Sequence, residues 1–429
     1  MNYQDTLDFL FSQLPMYQRD GKAAYKANLD TTIALDEHFR FPHKMFRTIH
    51  VAGTNGKGSV SHMLASVFEE AGYKTGLYTS PHLTDYRERI RINGKKISET
   101  FVTRFVEHNR AVITELKPSF FEITVALAFD YFAREQVDIA IIETGMGGRL
   151  DSTNIITPLA SVITNIGFDH TRFLGNTIAE IATEKAGIIK EETPVVIGEK
   201  QPEAMDVYMK KSQQLAAPVN VAPDRFEIQK STISDDFKLQ VVDVYDRFLD
   251  EVQHWELDLV GAYQAKNLLA VLTTLDVVRG TFPATPDQVQ RGLKHVRCNT
   301  GFAGRWQVLQ HNPLAVADTA HNKEGLTMVM EQLSNLKKNH LHMVVGMVDD
   351  KNIPELLSLF PTNATYYFTK PSIPRAFDEK ELHRMAADCN LKGEAYATVA
   401  EAWQAARNAA KFSDVIFVGG STFVVAEVV

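Results

Sequence analysis

The residues best suited to chemistry lie in a glycine-rich segment, Gly53-Thr-Asn-Gly-Lys-Gly-Ser59. An apolar run at residues 48–52 predicts a strand before it, and the apolar spacing over residues 60–71 predicts a helix after it. Glycines let successive backbone N–H groups turn towards an anion, the helix start adds its dipole, and Lys57 adds a positive charge. The segment departs from the G-x-x-x-x-G-K-[ST] motif because Gly58 separates the lysine from the serine. The segment predicts a phosphate-binding loop, with a tight strand-to-helix turn as the alternative.

A carboxylate ends the apolar run at residues 137–143, Val-Asp-Ile-Ala-Ile-Ile-Glu, and a second glycine-rich segment follows it. Open α/β sheets bind their ligands at the carboxyl ends of the strands. Mg²⁺ beside a phosphate loop is a suitable partner for such a carboxylate. Glu143 is therefore a candidate magnesium ligand, and the alternative is a surface glutamate in a flexible loop.

Four more polar residues follow strand or helix patterns. His170 closes a predicted strand, Lys185 lies within an apolar helical pattern, and Asp318 and His321 follow a predicted strand at residues 314–317. From the residues alone, each has a structural alternative. His170 could be hydrogen-bonded scaffolding, Lys185 could lie on a solvated helix face, and Asp318 and His321 could cap the following helix.

The elements that must position these residues alternate between strand and helix patterns. The chain has 429 residues, which suits two or three domains, and its 45% hydrophobic and 23% charged residues exclude a disordered chain. The alternation predicts a mostly parallel sheet covered on both faces, whereas period-2 alternation over residues 226–259 predicts a small antiparallel appendage. We predict an N-terminal domain of residues 1–297 and a smaller C-terminal domain of residues 298–429.

Charge and cysteine content exclude several classes of function. Asp plus Glu number 53 and Lys plus Arg number 45, so the net charge is −8. Such a chain has no global attraction to nucleic acid or to an anionic membrane. Cys298 and Cys389 are the only cysteines, which excludes a disulfide framework. With neither a signal-peptide pattern nor an apolar run of membrane-spanning length, the sequence predicts a cytoplasmic protein.

Taken together, these segments resemble the folylpolyglutamate synthase and dihydrofolate synthase family, which is related to the Mur ligases of cell-wall synthesis. The resemblance covers most of the chain. Its motifs are His50-Val-Ala-Gly-Thr-Asn-Gly-Lys-Gly-Ser59, Tyr78-Thr-Ser-Pro-His-Leu83, Glu88-Arg-Ile90, Ile141-Ile-Glu-Thr-Gly-Met-Gly-Gly-Arg-Leu-Asp-Ser-Thr-Asn154, Phe168-Asp-His170, Glu184-Lys-Ala-Gly-Ile-Ile-Lys190 and Asp318-Thr-Ala-His-Asn322. Two positions depart from the family pattern, because Ala303 precedes Gly-Arg where proline is usual and Thr319 replaces a glycine.

The resemblance implies an ATP-dependent amide ligase with an N-terminal P-loop domain and a smaller Rossmann-like C-terminal domain. In this family ATP phosphorylates a substrate carboxylate, and the amino group of L-glutamate attacks the acyl phosphate. The implied substrates are ATP, L-glutamate and dihydropteroate or a folate, and the implied cofactor is Mg²⁺, with two ions expected. A monovalent cation is a further candidate, and the family's usual state is a monomer.

The resemblance also assigns roles to individual residues. The implied nucleotide contacts are Gly53, Thr54, Asn55, Gly56, Lys57, Gly58, Ser59, Asn267, Arg305, Asp318 and His321. The implied metal ligands are Ser80, Glu143, His170 and Lys185, the last as a carbamate formed with CO₂; Lys57, Glu143, His170 and Lys185 would be the catalytic group. The implied pterin or folate pocket contains Phe120, Phe121, Glu122, Arg149, Leu150 and Asp151.

The substrate and even the class of protein have alternatives. Arg149 in the sequence Gly-Gly-Arg-Leu-Asp resembles dihydrofolate-making and bifunctional members, but it could merely anchor the loop. One alternative is therefore a folylpolyglutamate synthase alone. A Mur-type peptide ligase is disfavoured because only 52 residues precede the phosphate loop, which leaves no domain for a UDP group. A non-catalytic ATP-binding protein is disfavoured because the four catalytic candidates are all retained.

Overall fold

The computed structural model describes residues 1–16, 28–349 and 352–429, which form two compact units. The N-terminal unit comprises residues 1–230, 242–256 and 264–302, and the C-terminal unit comprises residues 231–241, 257–263 and 303–429. The predicted domain boundary between residues 297 and 298 stays a prediction. In the structure the main division follows Phe302, and two short earlier segments also belong to the C-terminal unit.

An eight-stranded mixed sheet organises the N-terminal unit. Its strands are β1 (Arg47–Ala52), β2 (Thr75–Tyr78), β3 (Ile90–Ile92), β4 (Lys95–Lys96), β5 (Ile139–Glu143), β6 (Ala160–Ile163), β7 (Val195–Ile197) and β8 (Val219–Val221). Their spatial order is β4-β3-β2-β5-β1-β6-β7-β8. The strands from β2 to β8 in this order run parallel, whereas β3 and β4 pair antiparallel at one edge. The carboxyl ends of β1, β2, β5 and β6 therefore meet at one edge of the sheet.

The middle of this sheet is buried because its sequences are apolar on both faces. Every residue of β5 is buried, as is every residue of β1 after Arg47. The apolar segment at residues 121–132, which predicts a buried helix, lies within the helix Phe120–Arg134. A rigid, buried sheet thus fixes the strand ends from which the candidate site residues project.

The N-terminal unit contains helices that cover this sheet and extend beyond it. They are α1 (Tyr3–Gln13), α2 (Asp30–His38), α3 (Lys57–Glu70), α4 (Glu99–His108), α5 (Arg110–Leu116), α6 (Phe120–Arg134), α7 (Thr171–Leu174), α8 (Ile178–Lys185), α9 (Pro202–Gln214), α10 (Ala222–Arg225), α11 (Gln264–Val278), α12 (Pro286–Lys294) and α13 (Val296–Thr300). Short 3₁₀ helices lie at Pro42–Lys44, Tyr86–Arg89, Ser152–Ile155 and Ala186–Ile188.

A separate three-stranded sheet occupies the segment where alternation predicts an appendage. Its strands are β9 (Phe226–Ile233), β10 (Gln240–Asp246) and β11 (Glu251–Leu257), and their order is β11-β10-β9. Alternate residues of β10 are buried, which is typical of a sheet with one covered face. The strands contribute residues to both units.

The C-terminal unit is built on a six-stranded sheet with the order β12-β13-β17-β14-β15-β16. Its strands are β12 (Gln307–His311), β13 (Leu314–Asp318), β14 (Leu341–Val345), β15 (Thr365–Phe368), β16 (Lys392–Ala395) and β17 (Val415–Gly419), and its helices are α14 (Lys323–Ser334), α15 (Ile353–Leu357), α16 (Glu379–Asp388), α17 (Val399–Ala409) and α18 (Thr422–Ala426). β12 is antiparallel to β13, and the other strand pairs are parallel. The predicted fold class, a mostly parallel sheet domain followed by a smaller α/β domain, is confirmed. Over the described part of the chain, no helix has both the length and the apolar composition needed to cross a membrane.

Candidate active site

The predicted phosphate loop connects β1 to α3, as the sequence pattern indicates. α3 begins at Lys57, and Gly56 before it has a φ of +85°, a left-handed conformation that favours glycine. A side chain at Gly56 would lie 2.3 Å from Oδ1 of Asn267, and one at Gly53 would lie 1.8 Å from Oγ1 of Thr164. The loop is therefore held in contact with its neighbours in a shape that only glycine permits at these two positions.

Residues that directly follow β6 form hydrogen bonds with the phosphate loop. The backbone N–H of Thr54 donates to the carbonyl oxygen of Asn165, and the N–H of Asn55 donates to the Asn165 side chain at 2.9 Å. The hydroxyl of Thr164 donates to the carbonyl oxygen of Asn55 at 2.6 Å. The sequence analysis missed Thr164 and Asn165. Both residues directly follow a buried strand, at the edge of the sheet where ligands bind, and this position could have identified them from the sequence.

Two lysine amino groups converge on one backbone carbonyl of this loop. Nζ of Lys57 donates to the carbonyl oxygens of Gly53 (3.0 Å) and Thr54 (3.2 Å), and Nζ of Lys185 donates to that of Gly53 (2.8 Å). Lys185 is only 4% exposed. Burial, and then the charge of Lys57, lower the pKa of Lys185 to about 7, against the opposing influence of Asp169. The solvated helix face considered for Lys185 is therefore wrong, because this lysine is buried against the phosphate loop.

Glu143 ends β5 with its carboxylate beside the start of α3. The side chain is 4% exposed, and its Oε2 accepts a hydrogen bond from the backbone N–H of Ser80 at 3.2 Å. Its two carboxylate oxygens would lie 3.8 and 3.9 Å from a Cβ at Gly58. The flexible surface glutamate considered from sequence is therefore wrong. The structure brings together Ser80, Glu143 and the phosphate loop.

His170 lies on the loop that leads into α7 and has a φ of +49°. Its Nε2 lies 3.9 Å from Oδ2 of Asp169, the residue that favours the charged form of Lys185. Asp169 was not among the predicted site residues, although it lies within the motif that contains His170. The loop therefore places a histidine and a carboxylate on the side of the site where Lys185 is buried.

The donor set fits magnesium bound together with phosphate. Among the described residues, no three His, Cys, Asp or Glu side chains gather into a metal-binding cluster. Mg²⁺ seldom uses an all-protein cage and is commonly held by one or two carboxylates together with substrate phosphates and water. A buried carboxylate beside a phosphate loop, as found for Glu143, matches that requirement.

The predicted pterin residues have different environments in the structure. Phe120, Phe121 and Glu122 begin α6, where Oε2 of Glu122 accepts from the N–H of Ser119 and the Ser119 hydroxyl accepts from the N–H of Glu122. These two hydrogen bonds form a capping box, and Glu122 is 4% exposed. The predicted place of Glu122 in a pterin pocket did not include this capping role. The Phe121 ring packs on Gly145, since a Cβ there would lie 2.4 Å from the ring.

The loop between β5 and the 3₁₀ helix Ser152–Ile155 is organised around Asp151. One oxygen of this buried carboxylate accepts from the N–H groups of Gly145 and Met146, and the other accepts from the N–H and hydroxyl of Thr153. Four donors match the acceptor capacity of a carboxylate. The predicted contact of Asp151 with a pterin is therefore not favoured by these bonds. Next to it, Leu150 is half-buried.

Arg149 is exposed and paired with Glu184. Its guanidinium nitrogen lies 2.8 Å from the Glu184 carboxylate, and its backbone N–H donates to the Glu184 carbonyl at 2.7 Å. These contacts fasten the glycine-rich loop to the end of α8, next to Lys185. They support the reading in which Arg149 anchors the loop.

In the C-terminal unit, Asp318 ends β13 and is almost fully buried at 1% exposure. It accepts hydrogen bonds from the Tyr263 hydroxyl (2.5 Å) and from the backbone N–H groups of Trp306 and Ala320 (both 2.8 Å). A guanidinium nitrogen of Arg305 lies 3.7 Å away. The helix-cap alternative for Asp318 is wrong, because Asn322 caps α14. The sequence analysis missed Tyr263, whose pairing with Asp318 has no local sequence signal.

His321 and Asn267 complete the set of predicted nucleotide residues. Nδ1 of His321 lies 2.9 Å from the carbonyl oxygen of Thr319, within the loop after β13. Asn267, on α11 of the N-terminal unit, donates to the Gln264 side chain at 2.8 Å and contacts the phosphate loop at Gly56.

Comparison with known proteins decides the family. The Mur ligase middle domain matches residues 51–275, and the glutamate ligase domain of Mur ligases matches residues 304–422. The dihydrofolate synthase/folylpolyglutamate synthase of Bacillus subtilis (strain 168) is 34% identical, and the match covers 89% of this chain and 88% of that protein. The chain belongs to the folylpolyglutamate synthase and dihydrofolate synthase family of Mur ligases. The family predicted from the sequence motifs is thus confirmed.

Some members of this family are longer than the chain. A probable bifunctional folylpolyglutamate synthase/dihydropteroate synthase of Haloferax volcanii is 32% identical, over 100% of this chain but 50% of that protein. The chain therefore spans about half the length of that relative.

Solved structures of family members superpose on nearly the whole chain. Escherichia coli FolC in complex with DHPP and ADP matches with a TM-score of 0.86 and 27% identity, over 100% of this chain and 97% of that one. The Mycobacterium tuberculosis folylpolyglutamate synthase complexed with ADP matches with a TM-score of 0.86 and 28% identity, over 99% of this chain and 97% of that one. The roles of individual site residues in this family member stay predictions.

Proposed function

We propose that the chain is an ATP-dependent ligase that joins L-glutamate to dihydropteroate, to reduced folates, or to both, through an acyl phosphate. The observation that carries this proposal is the arrangement of Lys57 and Lys185 on one carbonyl of the phosphate loop, beside the buried carboxylate of Glu143. The names of the relatives supply the substrates.

The phosphate loop would bind the phosphates of ATP. A carboxylate is a poor electrophile because its leaving group would be oxide, and phosphorylation provides a better one. The main barrier then lies in bringing two anions together, so positioning and positive charge carry most of the catalysis. Lys57 has its amino group on loop carbonyls and can exchange these weak partners for phosphate oxygens. The backbone N–H groups would come from residues 56–59, because those of Thr54 and Asn55 donate to Asn165.

Mg²⁺ would be held by Glu143 and Ser80 near the phosphates and, as a second ion, by His170 and carbamylated Lys185. When bound, Mg²⁺ neutralises phosphate charge and helps align the acyl and phosphate oxygens. The chain's own part is to present a buried carboxylate beside the phosphate loop. A monovalent cation remains a further candidate.

Lys185 is suited to react with CO₂ because only a neutral amine does so. In that reaction the nitrogen forms a bond to carbon and releases one proton to solvent, which leaves a carbamate with one negative charge. Burial that lowers the pKa of Lys185 to about 7 keeps a large fraction neutral at physiological pH. An ammonium beside Mg²⁺ would repel it, whereas a carbamate serves as a carboxylate ligand.

The C-terminal unit and α11 would contribute further nucleotide contacts. We propose that Asn267, Arg305 and His321 contact the nucleotide and that Asp318 holds the loop that presents them. The hydrogen bonds from Tyr263, Trp306 and Ala320 to Asp318 support this positioning role. We further propose a monomeric, cytoplasmic enzyme without nucleic-acid or membrane partners, which the net charge of −8 supports.

The test is glutamate-dependent release of ADP with dihydropteroate and with tetrahydrofolate as separate acceptors. Activity with both acceptors would indicate a bifunctional enzyme. Activity with tetrahydrofolate alone would reduce the proposal to a folylpolyglutamate synthase, and activity with dihydropteroate alone would narrow it to a dihydrofolate synthase. The same comparison tests whether Arg149 marks a dihydrofolate-making enzyme or only anchors its loop through Glu184. No glutamate-dependent release with either acceptor would contradict the proposal.

A further inference from the structure

A buried arginine beside the candidate site lacks an anionic partner. Arg89 ends the 3₁₀ helix Tyr86–Arg89 and is 3% exposed. Its Nε donates to Nδ1 of His82 at 2.8 Å, and its guanidinium carbon lies 5.2 Å from the centroid of the Phe120 ring. Across the described residues, no carboxylate oxygen lies within the 4.0 Å of an ion pair with Arg89.

Arg87, in the same 3₁₀ helix, has the carboxylate partners that Arg89 lacks. Its guanidinium pairs with Asp85 at 2.9 Å and with Glu99 at 3.2 Å, and it is partly exposed to water. Arg89 is far more buried and has no carboxylate at that distance among the described residues. His82 cannot compensate it, because an imidazole is either neutral or positively charged.

Burying a guanidinium without a counter-ion is costly, since the charge loses its hydration and gains no attraction in return. The ring of Phe120 offsets only part of that cost. The buried charge of Arg89 lowers the stability of the ligand-free protein, which indicates that its counter-ion is an anionic ligand.

The surroundings of Arg89 show where that anion would lie. The backbone N–H of Thr79 donates to the Arg89 carbonyl at 3.1 Å, next to Ser80, whose N–H donates to Glu143. Tyr78 ends β2 beside the end of β5, and its buried hydroxyl has no hydrogen-bond partner. The guanidinium, which hydrogen-bonds to His82 but to no carboxylate, and this hydroxyl are thus two donor groups at the same edge of the sheet as the carboxylate proposed to bind Mg²⁺.

Several phenolic and acidic side chains of this region interact electrostatically with Arg89. Tyr78, Tyr86, Glu143 and Glu88 all favour the charged form of Arg89, although burial lowers its pKa overall. The Phe121 ring also lies edge-on to Tyr78, with centroids 6.2 Å apart. The donors are therefore flanked by aromatic rings, which suits a planar aromatic acid better than a flexible aliphatic one.

We propose that Arg89, with the Tyr78 hydroxyl, binds the carboxylate of the acceptor substrate, the group that ATP phosphorylates. This assignment rests on the proposed function. A guanidinium matches a carboxylate with two parallel hydrogen bonds and so fixes the direction in which the oxygen faces the phosphate.

The same residue would serve both chemical steps. In the first, a carboxylate oxygen bonds to phosphorus as the bond to the ADP oxygen breaks. In the second, the glutamate nitrogen bonds to the acyl carbon, the carbon–oxygen bond to phosphate breaks, and the amine releases its proton to solvent. Between these events, negative charge develops on the acyl oxygen that Arg89 holds, where a preorganised cation is most effective.

The binding test compares pteroate with its uncharged carboxamide in the presence of ADP and Mg²⁺, without turnover. We expect Arg89→Gln to weaken pteroate binding about 10- to 100-fold and carboxamide binding only slightly. Arg89→Lys should recover part of the loss, and Arg87→Gln, the matched control, should bind both ligands as the wild type does. The affinity for ADP should not change.

Other outcomes would overturn the proposal. Equal weakening of pteroate and carboxamide would show that Arg89 only supports packing. Weaker ADP binding would assign Arg89 to the phosphates, and weaker binding of L-glutamate alone would assign it to the second substrate. Failure of the wild type to bind pteroate or tetrahydrofolate would overturn the proposed function as well, whereas normal binding unaffected by Arg89→Gln would overturn this proposal alone.

Thermal unfolding of the ligand-free protein gives a second, independent readout. Replacing a buried, uncompensated charge by an apolar side chain of similar length stabilises a protein. We expect Arg89→Met to raise Tm by about 2 °C or more and Arg87→Met, which breaks two ion pairs, to leave Tm unchanged or lower it. A lower Tm for Arg89→Met would show that the arginine is structural and would contradict the proposal.

Discussion

At the residue scale, the site is organised by charges that the ligand-free protein leaves incompletely compensated. Lys57 and Lys185 share the carbonyl of Gly53, and the charge of Lys57 contributes to lowering the pKa of Lys185. Sequence motifs predict both lysines as functional residues. They do not predict that Lys185 is buried, or that Arg89 lacks a carboxylate, because both facts depend on side chains from distant parts of the chain.

Removal of Lys57 should abolish most of the turnover and leave the fold intact. The side chain bonds only to loop carbonyls and belongs to no apolar core, so its loss removes charge from the phosphates. We expect Lys57→Ala to lower kcat about 100-fold or more, as for other phosphate clamps, with an unchanged Tm. The control is Lys74→Ala, which removes a partly exposed lysine that pairs with Glu135. Near-normal kcat in folded Lys57→Ala protein would contradict the phosphate-loop assignment.

Lys185→Ala should be nearly inactive and should recover activity with short-chain carboxylic acids. The carbamate supplies two oxygens, and acetate or formate can replace them in the space that the shortened side chain leaves. The measurement is kcat with and without added acid. Lys190→Ala is the control, because Lys190 lies in the same motif but donates to the carbonyl of Asn154. Rescue of both variants, or of neither, would contradict the carbamate.

Stability should depend on pH through Lys185. Its pKa is 10.5 ordinarily and about 7 in the folded protein, so between these values the unfolded chain binds a proton that the folded chain has released. Stability therefore rises with pH in this window, and the full cost of the buried charge applies below pH 7. In CO₂-free buffer, we expect the increase in Tm between pH 7 and 9 to be smaller for Lys185→Met than for the wild type. Identical pH profiles would show that Lys185 is not the buried titrating group.

At the element scale, the site is a set of loops that leave the carboxyl ends of parallel strands. The sequence could predict the loops after β1, β5 and β13, since each follows an apolar run and begins with glycine or a carboxylate. The sequence analysis missed that Ser119 and Glu122 have the spacing of a capping box, and the sequence could not assign Asp151 to the centre of its own loop. A carboxylate beside glycines has the same local pattern whether it bonds to its own backbone or to a ligand.

The phosphate loop owes its shape to contact with α11 as well as to its glycines. At Gly56 an added Cβ meets Asn267 at 2.3 Å and a φ of +85°, whereas at Gly72, with a φ of +91°, it meets nothing within 4 Å. We expect Gly56→Ala to cost about 2–4 kcal/mol in unfolding free energy and Gly72→Ala about 1–2 kcal/mol, which is backbone strain alone.

A double-mutant cycle separates the steric part of this effect. Asn267→Ala should recover about 1 kcal/mol or more in the Gly56→Ala background and nothing in the Gly72→Ala background, measured by denaturant unfolding. Additive effects at Gly56 and Asn267 would show that the loop is not shaped by this contact.

At the scale of the whole molecule, the chain combines two α/β units whose order along the sequence is interleaved. Alternation of strand and helix patterns was sufficient to predict two units and a change of pattern near residue 226. It could not show that residues 231–241 and 257–263 belong to the C-terminal unit, because that assignment depends on which core accepts their apolar faces. Tyr263, at the end of the second segment, contributes a hydrogen bond to Asp318 from a position that no motif marks.

The central claim is that this molecule activates a substrate carboxylate by phosphorylation, and an isotope-transfer measurement tests it most directly. Dihydropteroate or tetrahydrofolate labelled with oxygen-18 in its reacting carboxylate is incubated with ATP, Mg²⁺ and L-glutamate, and the released inorganic phosphate is analysed by mass spectrometry. An acyl phosphate transfers one carboxylate oxygen to phosphate, so the account predicts one oxygen-18 atom in the phosphate for each amide formed. Amide formation that releases unlabelled phosphate would contradict the account.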